Sequence, residues 1–456
     1  MKMILRRLRE LRRYPSAVAG LVLIVVFIGL SVYAMIALPY GHAIRLWRAP
    51  PGVWDETPLR AAPIWFDWFT RDKLPRTIIV STGDAGLKRV EPLEDGRSRI
   101  EIVLPFDYDY DGFPSEVQLF TQATFEGTRT VITVHWRTPT GEFMPLLIPP
   151  VNPRGTRSIR ATDTLYISQD SGLRTLLGRA PEQGLFMDRT AAIGPDGPVP
   201  VKGRYELVLV GEVLEGADLN AKLVVFGQVH GLAGTDHRRR DLTVALLWGA
   251  PLALAFGILG AIGANLSTFV LAGIGTWFGG KVDFIFQRIT NINMILPLLP
   301  ILIMIGQFYN RSLWLMLGVI IVLSVFSAAM LTYRAMFLQA KEAPYIEAAQ
   351  AYGASNMRIV FRYLLPRIAP TLLPQFVLVI PSFVFLEATL AVLGLGDPVL
   401  PTWGKIMNDA NTNGALYMGQ YYWPLQPAIL LMLMGFSFAL VGYALDRVFN
   451  PKLRTV

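Results

Sequence analysis

Residues Glu347 to Pro366 read EAAQAYGASNMRIVFRYLLP, a polar, helix-forming stretch set between segments too apolar for a water-soluble protein. Ala348 and Ala349 are strong helix formers with almost no side chain, so another protein's surface can approach that face closely. Gly353 is expected to break this helix and Ser355 to cap a second one. Pro366, followed by Pro370 and Pro374, is expected to end the second helix and give an irregular start to the next apolar span. The stretch predicts two short helices near right angles, an elbow lying at a membrane surface.

Outward from the elbow the composition sets the class. The 456-residue chain is 52% hydrophobic and 17% charged, with a mean hydropathy of +0.41, which is outside the soluble globular range and places it in a lipid bilayer. There is no cysteine, which excludes disulfides and thiolate metal sites. The net charge of +8 is spread through loops flanking apolar runs, which argues for membrane topology and against nucleic acid. The apolar runs give six candidate spans, at about Ser16–Leu38, Leu242–Phe269, Ile289–Tyr309, Leu313–Phe337, Thr371–Leu395 and Pro424–Leu445. Lys2, Arg6, Arg7, Arg9, Arg12 and Arg13 precede the first span and fix its N-terminus inside. That span is expected to stay as an anchor, because its apolar core is long for a signal peptide and Leu38-Pro39-Tyr40-Gly41 is a poor cleavage site. Threading from an inside start puts the elbow and both termini in the cytoplasm, together with Lys281, Arg288, Lys341, Arg358, Arg362, Arg367, Arg447, Lys452 and Arg454. Arg238, Arg239 and Arg240 break the rule, falling just outside the second span.

Residues 40–233 have ordinary soluble composition and enough length for a domain. Runs such as RTIIVST, RIEIVL, RTVITVHW, DTLYIS, GRYELVLVGEV and AKLVVFGQV alternate and are separated by Gly, Pro, Asp and Asn. They predict a β-sandwich or related antiparallel domain on the outer face. Helix is expected only near Ala62–Phe69, where Trp65, Phe66, Trp68 and Phe69 either pack in the core or rest at the membrane interface. The predicted fold class is an all-α polytopic membrane protein of six transmembrane helices with an inserted extracytoplasmic β-rich domain. Its parts are residues 1–39 (N-terminus and first span), 40–233 (β-rich domain) and 234–456 (five helices, with the elbow loop at 340–370).

The elbow resembles the cytoplasmic EAA loop of permease subunits of ATP-binding-cassette importers, through Glu347, Ala348, Ala349, Gly353, Leu365 and Pro366; Tyr363 stands where Ile is usual. The resemblance covers about Gly231–Arg454 and points to the dipeptide, oligopeptide and nickel branch. Gly234-Thr235-Asp236 with Arg240-Asp241 is similar to the branch's segment before the second span, with Arg239 in place of a usual Gly. Phe278-Gly279-Gly280-Lys281-Val282-Asp283 with Arg288 and Pro297 resembles its cytoplasmic turn, with Asn291 where Asp is common. Glu387-Ala388-Thr389-Leu390, Leu393-Gly394-Leu395-Gly396 and Pro401-Thr402-Trp403-Gly404 resemble its fifth span and following outer loop. The resemblance implies that the six elbow residues couple to an ATPase subunit. It also implies partnership with a second, related permease (a heterodimer), two ATPase subunits carrying ATP and Mg, and an extracytoplasmic solute-binding protein, in a prokaryotic plasma membrane. No cofactor is implied for this chain. Di- or oligopeptides are the implied substrate, with oligosaccharides and nickel left open. About the β-rich domain the resemblance says nothing.

Glu387 lies inside a span, where a carboxylate costs about 3 kcal/mol at the centre by insertion scales and requires a partner or a water-filled path. It is expected at a gate or along the pathway, or bonded to a neighbouring helix. Arg334 is expected to snorkel to the interface without a further role. Gly275–Lys281 has the spacing of a phosphate loop, but Val282 replaces the required Ser or Thr and no strand precedes it, so ATP hydrolysis is assigned elsewhere. Asp107, Asp109 and Asp111 before Gly112 resemble the first half of a calcium loop, a candidate structural site, although its twelfth position is the neutral Gln118; the alternative is an acidic, solvated turn. His42, His135, His230 and His237 are scattered and form no local catalytic signature. A membrane-anchored receptor or hydrolase is the reading of a different class, and it leaves the elbow and the five later spans unexplained.

Overall fold

Each apolar run of the sequence forms helix in the computed structural model, which describes residues 14–449 except 85, 94–95, 126–131, 147–158, 167–170, 172–180, 188–197 and 215–217. The basic residues Lys2 to Arg13, with Lys452 and Arg454, lie outside the described residues. The chain divides into a helical unit, Met1–Arg48 with Val244–Val456, and a β unit, Ala49–Thr243.

In the helical unit, α1 (Pro15–Ala37) and α2 (Tyr40–Arg48) are followed by α3 (Leu242–Phe278). Next come α4 (Gly280–Asn293), α5 (Leu298–Phe308), α6 (Leu313–Val325) and α7 (Ala328–Lys341). The elbow comprises α8 (Pro344–Ala351) and α9 (Asn356–Ile359) and leads into α10 (Leu365–Leu390); α11 (Trp403–Thr412) and α12 (Tyr422–Phe449) complete the unit. Among the described residues, four helices are long and apolar enough to cross a membrane, or up to six if each bent pair is one span. The expected third and fourth spans are those pairs, α4 with α5 bent by 76° and α6 with α7 bent by 45°. The second runs on past Phe269 to Phe278, because a π turn at Ile262–Leu266 absorbs a register change without ending the helix. Small residues set the packing of α1 on α12: a Cβ at Gly20 would stand 2.6 Å from the Ser437 carbonyl.

The β unit follows from alternation. Along β3 (Arg97–Tyr108), Ile100, Ile102, Leu104, Phe106 and Tyr108 point to one buried face, at the strand period of two. β3 lies between β2 (Lys88–Pro92) and β8 (Gly203–Leu214), in a sheet completed by β5 (Ile132–Arg137) and β6 (Phe143–Leu146). The second sheet has the order β1 (Ile78–Ser81), β9 (Asp218–Phe226), β4 (Glu116–Phe125), β7 (Ile159–Tyr166). Among the described residues, the pairings between these strands are antiparallel. Val117, Leu119, Leu223 and Val225 of the second sheet share the core of the first, so the two sheets face one another as a sandwich. Trp136 donates to the Leu185 carbonyl at 3.0 Å, so its buried N–H is satisfied. The run Ala62–Phe69 holds a 3₁₀ turn, Ile64–Trp68, that leaves Trp68 and Phe69 outside the core.

The division between units differs from the boundaries expected at 39/40 and 233/234. Helix α2 buries Ala43 and Trp47, and Tyr40 meets Trp248 edge-on at 5.6 Å, so this segment packs within the helical unit. At the other end Thr235 Oγ donates to the Pro58 carbonyl at 2.7 Å and accepts from Ala61 N–H at 2.8 Å, fixing the residues before α3 to the β unit. The arginine exception also finds its cause here. Arg240 forms a buried pair with Asp236 at 2.6 Å, while Arg239 pairs with Glu116 and lies over the Phe226 ring. Two of the three charges are therefore held by carboxylate partners within the β unit.

Candidate functional site

The elbow begins with Pro344 in the first turn of α8, where its missing N–H has no bond to lose. Glu347 sits in the same turn, where a carboxylate suits the positive helix end. Helix α8 ends at a Schellman turn: Gly353 has φ +76°, Ala354 N–H bonds the Ala349 carbonyl at 3.0 Å, and Gly353 N–H bonds that of Gln350 at 2.9 Å. A Cβ placed on Gly353 would meet nothing within 4 Å, so the conformation alone accounts for a glycine there as far as this chain is concerned.

Two faces result. Ile346 and Ala349 turn inward to join Phe269, Tyr333, Phe337, Ile359, Val360, Leu364 and Leu365 in one apolar cluster. Glu347, Ala348, Gly353 and Pro366 remain exposed, beside the exposed apolar side chains of Tyr352, Met357 and Phe361. Of the six residues expected to couple, Ala349 and Leu365 therefore hold the elbow onto the helices, and the other four stand on the open face. Lys341 anchors the elbow's start, donating to the carbonyls of Thr276 (3.3 Å) and Trp277 (3.1 Å) at the end of α3. Trp277 donates in turn to Asn356 Oδ1 at 3.2 Å.

Two expectations about the elbow are corrected. Ser355 occupies the cap position of α9 with extended backbone, but its side chain makes no capping bond. Pro366 does not end the second helix: α9 passes through a π turn, Val360–Leu364, directly into α10, which also contains Pro370, Pro374 and Pro381. The π turn resets the hydrogen-bond register at the junction, so Pro366 falls in the first turn of α10, where no N–H is required.

Arg334 has a partner that the sequence reading did not supply. Its Nε and Nη2 each lie 2.7 Å from an oxygen of Asp283, a fork-on-fork pair, and Gln287 donates to the same carboxylate at 2.7 Å. This ties α4 to α7, the helix that leads into the elbow. The signal was present in the quoted Lys281-Val282-Asp283 turn, but nothing local linked it to Arg334 half a hundred residues on. Glu387 is buried and hydrogen-bonded to the Thr402 side chain. Thr402 Oγ also accepts from Lys405 N–H at 3.1 Å, capping α11. The carboxylate thus reaches the loop Pro401–Gly404, whose Trp403 is buried against Gly249 and donates to the Leu246 carbonyl at 2.9 Å. Asp397, which the sequence reading missed, accepts from the N–H groups of Leu313 (3.1 Å), Val399 (2.9 Å) and Leu400 (3.3 Å).

The three aspartates of the candidate calcium loop are each placed beside a basic residue. Asp107 lies on β3 opposite Arg204, Asp111 pairs with Lys202 at 2.7 Å, and Asp109 lies 3.4 Å from Lys73. The Lys202 ammonium holds the Asp111 carboxyl below the usual carboxylate range. Lysines stand where a cation would sit, and no three His, Cys, Asp or Glu among the described residues converge on one point.

Long apolar helices interrupted by an exposed polar elbow define a multi-pass membrane protein. Comparison with known proteins gives the family: the binding-protein-dependent transport system inner membrane components match residues 246–455, and the chain belongs to this family of transport permeases. The chain is 30% identical over 223 residues to the oligopeptide transport system permease protein OppC of Bacillus subtilis, covering 48% of this chain and 72% of that one. It is 28% identical over 222 residues to the dipeptide transport system permease protein DppC of the same organism, covering 48% and 68%. To the peptidoglycan transport system permease protein YejE of Agrobacterium fabrum it is 29% identical over 221 residues, covering 48% and 56%. The family match begins after the β unit ends at Thr243.

Proposed function

We propose that this chain is one of two related membrane subunits of an ATP-driven peptide importer, working with two ATPase subunits and a solute-binding protein. The observation that carries the proposal is the elbow: an apolar inner face locks it to α3 and α7, while Glu347, Ala348 and Gly353 remain open on a turn that only glycine forms without strain. A surface so anchored can receive motion from a soluble partner and pass it to the membrane helices. ATP and Mg belong to those partners. Relatives named for dipeptide and oligopeptide transport support peptides as the cargo. The reading counts each bent pair as one span, six in all, with both termini and the elbow cytoplasmic and the β unit outside. There the β unit serves as a docking or gating module for the solute-binding protein, and Glu387 holds the outer loop to its span. Transport follows alternating access, with ATP-driven closure of the ATPases moving the elbows.

Cysteine labelling tests the topology, since the chain has none of its own. Thr140→Cys on the β unit should react with an impermeant thiol reagent added outside intact cells, and Ser355→Cys on the elbow only after permeabilisation. The reverse pattern would overturn the cytoplasmic elbow and the docking role with it.

A further inference from the structure

The two bent helix pairs break beside one another, and one side chain joins the breaks. Asn293, the last residue of α4, donates its side-chain amide to the Leu323 carbonyl at 2.7 Å and the Phe326 carbonyl at 2.9 Å. Those carbonyls lie at the end of α6, where the helix leaves its last acceptors without intrahelical partners. Thr268 of α3 serves a third: its Oγ is 2.8 Å from the Val325 carbonyl and 2.8 Å from the Ala264 carbonyl of its own helix, sharing one proton between them. In a bilayer such acceptors find no water, so side chains must satisfy them. The π turn Ile262–Leu266 ends two residues before Thr268, and a cavity of about 200 Å³, lined by Asn293, Ser324 and Ser327 among others, opens at the breaks.

We propose that Asn293 and Thr268 are positioning residues of the transport cycle, forming a reversible latch that holds the α6–α7 bend in one state and releases it in another. The three carbonyls would exchange side-chain donors for backbone ones. If α6 and α7 became one straight helix, the Leu323, Val325 and Phe326 carbonyls would accept from the N–H groups of Ser327, Ala329 and Met330 by the ordinary helical spacing. Met330 N–H, which now bonds the Ser327 carbonyl at 2.9 Å, would change partner. Thr268 would keep its proton on Ala264, and the Asn293 amide would turn to the cavity. In both states the Leu323, Val325 and Phe326 carbonyls have a donor, which is what a two-state element requires. The pair Arg334–Asp283 ties α7 to α4 below the break, and α7 leads directly into the elbow, so motion of the elbow reaches the latch through both helices.

The inference rests on the importer reading, and the experiment separates the two. The intact complex is purified with its partner subunits and reconstituted, carrying Trp314→Cys on α6 and Leu338→Cys on α7 as spin-label sites. Both positions are exposed. In the otherwise native chain the inter-label distance should differ between nucleotide-free and ATP-trapped complexes. Thr268→Val, which removes one donor at constant shape, and Asn293→Leu should each collapse the two distances to one and raise ATP hydrolysed per substrate moved about 10-fold; Thr268→Ser should restore both. Should Asn293→Leu fail to assemble, Thr268→Val decides alone. Nucleotide-dependent distances and native stoichiometry in Thr268→Val would overturn the latch. A distance that does not respond to nucleotide in the native chain would overturn it as well. Absence of ATP-driven uptake by the native complex would instead overturn the importer reading.

Discussion

Gly353 separates a conformational role from a contact role, because its surroundings within the chain are open and its backbone is not free. At φ +76° a residue with a Cβ is strained by about 1–2 kcal/mol, with Asn tolerating the region better than Ala. Loss of both Schellman bonds would add about 1 kcal/mol each. Against a typical folding stability of about 5–15 kcal/mol, neither sum prevents insertion. Since nothing lies within 4 Å of the added Cβ, the chain itself imposes no steric penalty. If an ATPase surface closes over this turn, each extra side-chain atom meets that partner, and crowding of a packed contact costs about 1–3 kcal/mol, or roughly 5- to 150-fold in affinity. The two roles therefore rank the variants differently. Conformation alone gives Gly353 above Gly353→Asn above Gly353→Ala; contact gives Gly353 above Gly353→Ala above Gly353→Asn, with Gly353→Trp lowest. ATPase affinity measured on purified, membrane-inserted subunit distinguishes them, with coupled uptake as the second readout. Native affinity and uptake in Gly353→Trp at normal abundance would refute the docking surface.

The elbow's inner face is tested by Ala349→Leu, which should lower the abundance of inserted subunit and not selectively its ATPase affinity, since Ala349 is buried among Phe337, Ile359 and Leu364. Arg334→Gln deprives Asp283 of its guanidinium partner and should cost about 1.5–3 kcal/mol, read as a lower unfolding midpoint in detergent; the double variant with Asp283→Asn should recover part of it, and strict additivity would argue that the pair is unimportant. Burial pushes the His230 imidazole below its ordinary value, with Asp241 opposing. The unfolded chain therefore binds a proton first as pH falls below about 6.5, and the β unit should lose stability from there downward, the loss shrinking in His230→Gln as followed by thermal melts at pH 7.5 and 5.

The sandwich was legible because its signal is short-ranged. On β3 every second residue from Ile100 to Tyr108 is apolar, and one buried face accounts for all five. The elbow was legible for the same reason: Gly353 and its neighbours fix a turn through bonds spanning at most five residues. Which elbow residues face outward was less so. Ala348 and Ala349 are identical in type, and only the packing of α8 on Phe337 and Ile359 turns one inward and leaves the other open. The partners of the candidate calcium carboxylates were not legible either, because Lys73 and Lys202, which pair with Asp109 and Asp111, come from distant parts of the chain.

The helix breaks show where local reasoning ends. Prolines 366, 370, 374 and 381 promise interruption, yet α10 runs through all of them, with π turns at Val360–Leu364 and Ala391–Leu395 flanking it. Phe326 and Ser327 promise none, having neither proline nor glycine, yet there α6 and α7 part by 45°. The difference lies in what satisfies the backbone. A proline removes one donor, a loss that register shifts and neighbouring helices can absorb. A bend between ordinary residues frees several acceptors at once and persists only if donors arrive from elsewhere, here from Asn293 and Thr268, which are 30 to 57 residues away in sequence. A break built this way is conditional, because once its donors withdraw no covalent obstacle stands against a straight helix. A break built from proline cannot be withdrawn, so a protein that must alternate between two shapes is better served by a bend of the first kind.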